Sequence, residues 1–381
     1  VKKIRYITAG ESHGPALTAV ISGLPAGFTL DISALQGQLA RRQKGYGRGG
    51  RMKIETDAVE ILSGFRGSLS LGSPVTLQIR NRDFENWRAV MDPLQADMEK
   101  KISIPRPGHA DYAGMLKYGT DDLRNILERA SARETAIRTA VGALCRQFLE
   151  AAGIRLFSRV LQVGTVTAKD DSLPTLERME GREDNDMNVL DEGDAQAMRD
   201  EIQAAMKRGD SLGGIFQILV YGLPVGLGSH TQWDERISSV LSRHIMGINA
   251  LKGIEFGSGF RSAAMPGSAY HDPFAVEGER ITRLSNHAGG QEGGMSNGET
   301  LYFQAVIKPI PTLARPLQTV DLKSREVKSA HKERTDSCVV PAASVVAENV
   351  TAISILDLLL DKYGGDSWSE FMRHYRSGEG I

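Results

Sequence analysis

The 381-residue chain holds 46 Lys and Arg against 47 Asp and Glu, with 41% hydrophobic and 24% charged residues. That is a globular composition, and the near-zero net charge excludes a bulk electrostatic hold on nucleic acid. Its two cysteines, Cys145 and Cys338, form neither a disulfide framework nor a metal-spaced cluster, and they suit a reducing cytoplasm.

Strand-like runs at 3–8 and 17–21 flank the loop Gly10-Glu11-Ser12-His13-Gly14-Pro15. A helical pattern over 32–42 leads into a Gly-rich basic loop, followed by strand-like runs at 53–62 and 75–80. Asp121 and Asp122 are placed to cap one long helix reaching about residue 152 and stopped by Gly153. Its apolar positions Leu123, Ile126, Leu127, Ala130, Ile137, Val141, Leu144 and Phe148 fall near helical spacing. Strands are expected at 154–166 and 214–221, and helices at 195–207 and 233–248. A Gly-rich loop at 286–298 precedes a strand at 300–308, and a last helix covers 342–363 before Gly364-Gly365. The N-terminus lacks the apolar core of a signal peptide, and no apolar run approaches the roughly 18 residues of a membrane span. With no compositional break, the expectation is α+β in a single large domain, 1–381.

Segment 41–53 (RRQKGYGRGGRMK) has six basic residues, four glycines and no acid. Glycines let a backbone approach an anion closely, and arginines give forked donors matching phosphate or carboxylate. A solvated basic hairpin or an RGG-type RNA contact fits the same composition. Gly45, Gly47 and Gly50 match G-x-G-x-x-G, but a dinucleotide site needs a strand before and a helix after, and here the order is reversed. Gly294-Met295-Ser296-Asn297-Gly298 matches G-x-S-x-G, with Asp336 and His374 following in hydrolase order. A nucleophile elbow joins strand to helix, whereas Ser296 sits between a glycine loop and a strand. A serine hydrolase is therefore the second reading.

His13 in its loop and His109 in Arg106-Pro107-Gly108-His109-Ala110-Asp111 are two histidines in turn-rich settings. Imidazoles flanked by arginines suit proton transfer on an anionic substrate. Arg129 and Arg133, four apart in the long helical pattern, would share a face.

Taken together these segments resemble the chorismate synthase family across essentially the whole chain. The resemblance is carried by Gly10–Pro15 with Gly23-Leu24-Pro25, by Arg129-Ala130-Ser131-Ala132-Arg133-Glu134-Thr135, and by Arg334-Thr335-Asp336-Ser337 with Ala347-Glu348-Asn349. The basic loop, the His109 segment and Asn286-His287-Ala288-Gly289-Gly290 match as well. The family often has Ser at the positions of Ala130 and Thr335. Any role for the first hydroxyl would pass to Ser131 or water.

The resemblance implies a β-α-β sandwich, with helices packed between antiparallel sheets, in a homotetramer. It implies a lyase that uses reduced FMN to eliminate phosphate from 5-enolpyruvylshikimate 3-phosphate. His13 would give a proton to the departing phosphate, and His109 would protonate the reduced flavin or stabilise its charge. Asp336 would help deprotonate the flavin through Ser12 and Ser131. Arg42, Arg48, Arg51, Arg106, Arg133 and Arg334 would hold the substrate's anionic groups. FMN contacts would come from Arg129, Ala130, Ser131, Asn249, Ala250, Gly293, Lys308, Pro309, Ile310, Pro311, Thr312 and Arg334. Arg42 and Arg48 also match positions linked to NADPH in members that reduce their own flavin; the alternative source is an external flavin reductase. No metal, nucleic-acid or membrane partner is expected.

Overall fold

The computed structural model describes residues 3–48, 57–278, 280–330 and 336–378. Arg51, Arg334 and Thr335 lie outside the described residues.

The first layer is a four-stranded antiparallel sheet. β1 (Arg5–Ala9) pairs with β2 (Ala16–Ser22). α1 (Ile32–Gln43) follows, started by Asp31, whose side chain accepts from the Ser33 and Ala34 N–H groups. β3 (Val59–Ile61) and β4 (Val75–Arg80) complete the order β1-β2-β4-β3. Alternation buries Leu17, Ala19 and Ile21 on β2 and Val75, Leu77 and Ile79 on β4, giving the sheet one apolar face. α2 (Phe84–Met91) comes next and buries no residue fully.

The single helix expected over 121–152 is broken. Arg124–Leu127 forms one turn, Ala132–Glu134 a 3-10 turn, and α3 (Thr135–Ala151) the main helix. The break falls at Ser131, which is extended (ψ 143°) and accepts the Arg133 N–H at 3.2 Å through its hydroxyl. A serine oxygen that caps the chain locally competes with the helical ladder.

The second layer contains β5 (Arg155–Val163), β6 (Val166–Thr167), α4 (Glu192–Arg208), β7 (Gly214–Tyr221), α5 (Ile237–Ile245), β8 (Leu251–Phe256) and β9 (Leu301–Ile307). Its strands order β8-β9-β7-β5-β6, all antiparallel. The helix expected from 233 starts later, because Arg236 is extended (ψ 137°) after a 3-10 turn at Trp233–Glu235. The loop expected at 286–298 contains a short hairpin, Gln291–Glu292 with Met295–Ser296.

α6 (Val340–Tyr363) and α7 (Trp368–Gly378) end the fold. α3 and α6 pack against each other, α3 lying on β2 and β4 and α6 on β5 and β7. The expected sandwich of helices between antiparallel sheets is therefore the observed one. α6 also corrects the membrane reading: it is long and apolar enough to span a bilayer, yet that stretch is entirely buried inside the protein. Its polar residues Ser344, Glu348, Asn349, Thr351 and Ser354 interrupt the apolar pattern and are themselves buried.

Glu348 is the knot of this core. Arg41 of α1 binds it through two nitrogens at 2.8 and 3.1 Å, Ser158 of β5 donates at 2.6 Å, and Arg146 of α3 also donates to it. Burial alone would raise the Glu348 carboxyl, but Arg41 and Arg146 outweigh it and hold the group well below its usual range.

Candidate active site

His13 sits in the turn between β1 and β2. Its ring Nδ1 lies 3.0 and 2.9 Å from the two Glu128 carboxylate oxygens, and its backbone N–H donates to the same carboxylate at 2.9 Å. The ring stacks on Trp87 of α2, centroids 3.9 Å apart and planes 26° from parallel. Ser12 is buried beside it, its N–H donating to the Glu128 carbonyl. Arg129, next in the chain, reaches back to the Thr8 and Gly10 carbonyls at 3.0 Å each and so braces the loop that carries His13.

Behind this loop is a second buried carboxylate. Asp57 takes Arg42 at 3.1 Å and also accepts from Arg133, whose Nε and other terminal nitrogen hold Asn81 at 3.1 and 3.0 Å. Asn81 in turn donates to the Glu11 and Gly14 carbonyls of the His13 loop. Arg42 also binds Thr135 and the Ala132 carbonyl. Burial pushes its guanidinium down to about 10 despite Asp57, with Arg48, Arg133 and Asp336 all within electrostatic reach. Arg48 meets Asp336 at 3.3 Å. Arg129 and Arg133 do not share a helix face as expected, since the break at Ser131 sends them into different networks.

His109 belongs to a separate cluster. Its Nδ1 donates to the buried Asp111, and Arg106 holds Asp111 through its backbone N–H and Nε at 3.0 Å and a terminal nitrogen at 3.1 Å. Burial would raise the Asp111 carboxyl; the bonds from His109 and Arg106 outweigh it and hold it well below the usual range. An Arg106 terminal nitrogen lies 3.0 Å from the His109 ring.

A continuous strip joins the two clusters. The Asn249 amide donates to the Ala130 carbonyl at 3.0 Å, the Ala250 carbonyl accepts the Lys308 N–H at 3.0 Å, and Lys308 Nζ reaches the Gly108 carbonyl at 2.5 Å. Ala250 is held at φ +66°, a costly conformation for a residue with a side chain and one that tends to occur at functional sites. The strip continues through Ile310, whose carbonyl accepts the Ser211 hydroxyl at 2.8 Å, to Leu212, which binds the Ser337 carbonyl next to Asp336. Residues scattered over two hundred positions of sequence are thus linked by one series of hydrogen bonds. Gly293 stands apart at the tip of the short hairpin, near Met295 and His230.

Sequence reading missed the carboxylates behind each cation or imidazole. Asp111 lies inside the His109 segment and Glu128 directly precedes the Arg129–Thr135 motif, and those positions were the available signal. Asp57, Asn81 and Trp87 gave none.

The second reading loses its geometry. The Ser296 hydroxyl is buried, donates to the Pro224 carbonyl at 2.6 Å and accepts from Leu227 at 2.8 Å, while His374 binds the Tyr363 carbonyl. Arg41 and Arg42 of the basic segment are consumed by Glu348 and Asp57, which removes them from any RNA contact. What remains is two imidazoles, each held by a carboxylate, with arginines in the same networks.

Comparison with known proteins gives the class. The chorismate synthase family model matches residues 4–360. Chorismate synthase of Trichlorobacter lovleyi is 50% identical over 381 residues, covering 97% of both chains. That of Alkaliphilus metalliredigens is 48% identical over 375 residues, covering 98% of both. A crystal structure of a chorismate synthase superposes with a TM-score of 0.79 at 38% identity, covering 99% of this chain and 97% of that one. The chain belongs to the chorismate synthase family, a family of carbon–oxygen lyases.

Proposed function

We propose that this chain, acting as a single domain over 1–381, converts 5-enolpyruvylshikimate 3-phosphate to chorismate, the last step of the shikimate pathway. The observation that carries the reading is the strip Ala130–Asn249–Ala250–Lys308, whose hydrogen bonds link the His13 and His109 clusters. The reaction is a 1,4-anti elimination: the C3–O bond breaks to release phosphate, the C6–H bond breaks, and there is no net redox change.

The family requires reduced FMN, and the strip fits it. Lys308 supplies a cation, Asn249 an amide and Thr312 a hydroxyl. Gly108, at φ +80°, leaves open a gap that a Cβ would fill, meeting Lys308 Nζ and Pro311 at 3.6 Å. When bound, reduced FMN supplies electron density to the breaking C–O bond. Arg129, Ala130, Ser131, Asn249, Ala250 and 308–312 hold it, with Arg334 by family position. Gly293 joins them only if the hairpin that carries it meets the strip in the assembled enzyme.

Arg48 and Arg106 grip the substrate's anionic groups, joined by Arg51 and Arg334. Arg42 and Arg133, locked by Asp57, set the positive field behind them. His13 passes a proton to the leaving phosphate. His109 holds a proton toward the flavin, and Asp336 accepts one, with Ser12 and Ser131 as relays.

The acting unit is a homotetramer. Its support is the hairpin Phe274–Glu277 with Arg280–Arg283, where Phe274, Val276, Ile281 and the adjacent Leu284 are 66–75% exposed; an isolated two-stranded hairpin needs packing to be stable. Both cysteines are free and buried, and burial pushes the Cys338 thiol up to about 11, in keeping with a cytoplasmic enzyme. The burial of Arg42 favours an external flavin reductase over direct reduction by NADPH.

The test is anaerobic: protein, dithionite-reduced FMN and 5-enolpyruvylshikimate 3-phosphate, following phosphate and chorismate together. Equal release of both, dependent on reduced FMN, is the expected result. Phosphate without chorismate would mean hydrolysis instead. Replacing dithionite by NADPH, with and without a reductase, separates the two sources of electrons.

A further inference from the structure

We infer that Glu128 is the positioning residue of His13, fixing which ring nitrogen carries the transferable proton and how firmly it is held. The inference rests on the reading of His13 as proton donor to the departing phosphate.

Glu128 holds His13 at two places at once, by the backbone N–H and by the ring. A carboxylate only accepts, so Nδ1 is the donor of this pair. Among the described residues Nε2 has no hydrogen-bond partner, which leaves it as the nitrogen that can meet a ligand. Trp87 fixes the ring plane by stacking, and its indole N–H is tied to Asp83 at 3.0 Å. Arg124 closes the circuit: its guanidinium lies 3.6 Å from Glu128 and 5.6 Å from the centre of the Trp87 ring. Four side chains, His13, Glu128, Arg124 and Trp87, thus form a closed ring of contacts that includes the imidazole.

The proton bookkeeping is simple. Imidazolium Nε2–H gives its proton to a phosphate oxygen as the C3–O bond breaks, and Nδ1–H stays with Glu128. The neutral ring is left in a single tautomer and is reprotonated at Nε2 from solvent after product leaves. The charged groups facing His13 are Glu128 directly, Arg124 through Glu128, and Asp83 beyond Trp87.

The test measures single-turnover rate against pH for the intact enzyme with reduced FMN and saturating substrate, alongside KM. Glu128→Gln should slow turnover about 10- to 100-fold, a part of the 10²–10⁴ a general acid supplies, with KM nearly unchanged. Its alkaline limb should move to lower pH, the direction that loss of a facing carboxylate gives. Glu128→Asp should recover part of the rate. Arg124→Gln, which leaves the His13–Glu128 contact in place, should move the limb the opposite way, and it decides the matter should Glu128→Gln not fold. A slower Glu128→Gln enzyme whose limb stays put would reduce Glu128 to a structural prop and overturn the proposal. So would an unmoved limb in Arg124→Gln. His13→Ala run in parallel separates the two ideas: if it keeps near-normal turnover, the His13 reading itself fails; if it is inactive while both limbs stay put, only the role of Glu128 falls.

Discussion

Arg129 and Arg133 stand four residues apart in the chain and serve different networks. Arg129 turns back to the Thr8 and Gly10 carbonyls of the loop that carries His13, while Arg133 turns into the core to Asp57 and Asn81. The extended backbone at Ser131 separates them. One arginine braces the loop through its main chain and the other through Asn81, so the loop is held from both sides.

Asp57 is the common anchor of Arg42 and Arg133, and all three are buried. Asp57→Ala leaves two guanidiniums uncompensated. Breaking a buried ion pair on one side costs about 3–5 kcal/mol, so denaturant unfolding should show a loss of at least that size. Wild-type stability would show that water or a neighbouring acid takes over.

The Glu348 cluster sets a pH dependence. Its folded carboxyl is held below the ordinary value of 4.5, so its contribution is fully present above that pH and is lost as pH falls toward the folded value. Glu348→Gln should cost about 3–5 kcal/mol at neutral pH. The gap between the two proteins should narrow as pH drops below about 4.5. A gap that is constant from pH 7 to pH 3 in urea titrations would mean the carboxylate charge is not what stabilises the core.

At Gly142, helix propensity and packing pull in opposite directions. Alanine gains about 1 kcal/mol in a helix interior. Its Cβ would, however, sit 2.1 Å from the Asn349 carbonyl oxygen of α6, and that neighbour is backbone that cannot rotate away. Overpacking of this kind costs about 1–3 kcal/mol or more. Packing wins: Gly142→Ala should lower the melting temperature, and a raised one would show that α3 and α6 can slide apart freely.

On the proposed reading Lys308 meets the anionic end of the cofactor. Losing one charge-assisted hydrogen bond of about 1.5–3 kcal/mol should weaken reduced-FMN binding about 10- to 150-fold. Anaerobic titration of Lys308→Ala reads this directly, and an unchanged Kd would move the cofactor off the strip.

For the two imidazoles the expected signature is in turnover. His13→Ala and His109→Ala should each lower kcat about 10²- to 10⁴-fold with KM within a few-fold. A large rise in KM at normal kcat would instead make the residue a binding group.

Much of this was legible in the residues. Local periodicity located β2, α1, β4, β7, β9 and α6 to within a few positions, because each has a strong apolar repeat and a clear stop. α2 and β8 were not seen: α2 buries nothing fully, and β8 buries fully only Leu251. The helix over 121–152 was over-extended because its apolar spacing runs unbroken through a serine whose hydroxyl turns to the backbone.

By itself, the sequence determined the family and the elements with a strong apolar repeat, since these depend on local pattern and on motifs kept in chain order. Only the tertiary structure decided which charges cancel. Glu128 meets His13 across 115 positions, Asp57 meets Arg133 across 76, and Glu348 meets Arg146 across 202. No local rule sets such pairings. They follow from which faces the sheets and helices bury together, and burial makes an unpaired charge too costly to keep.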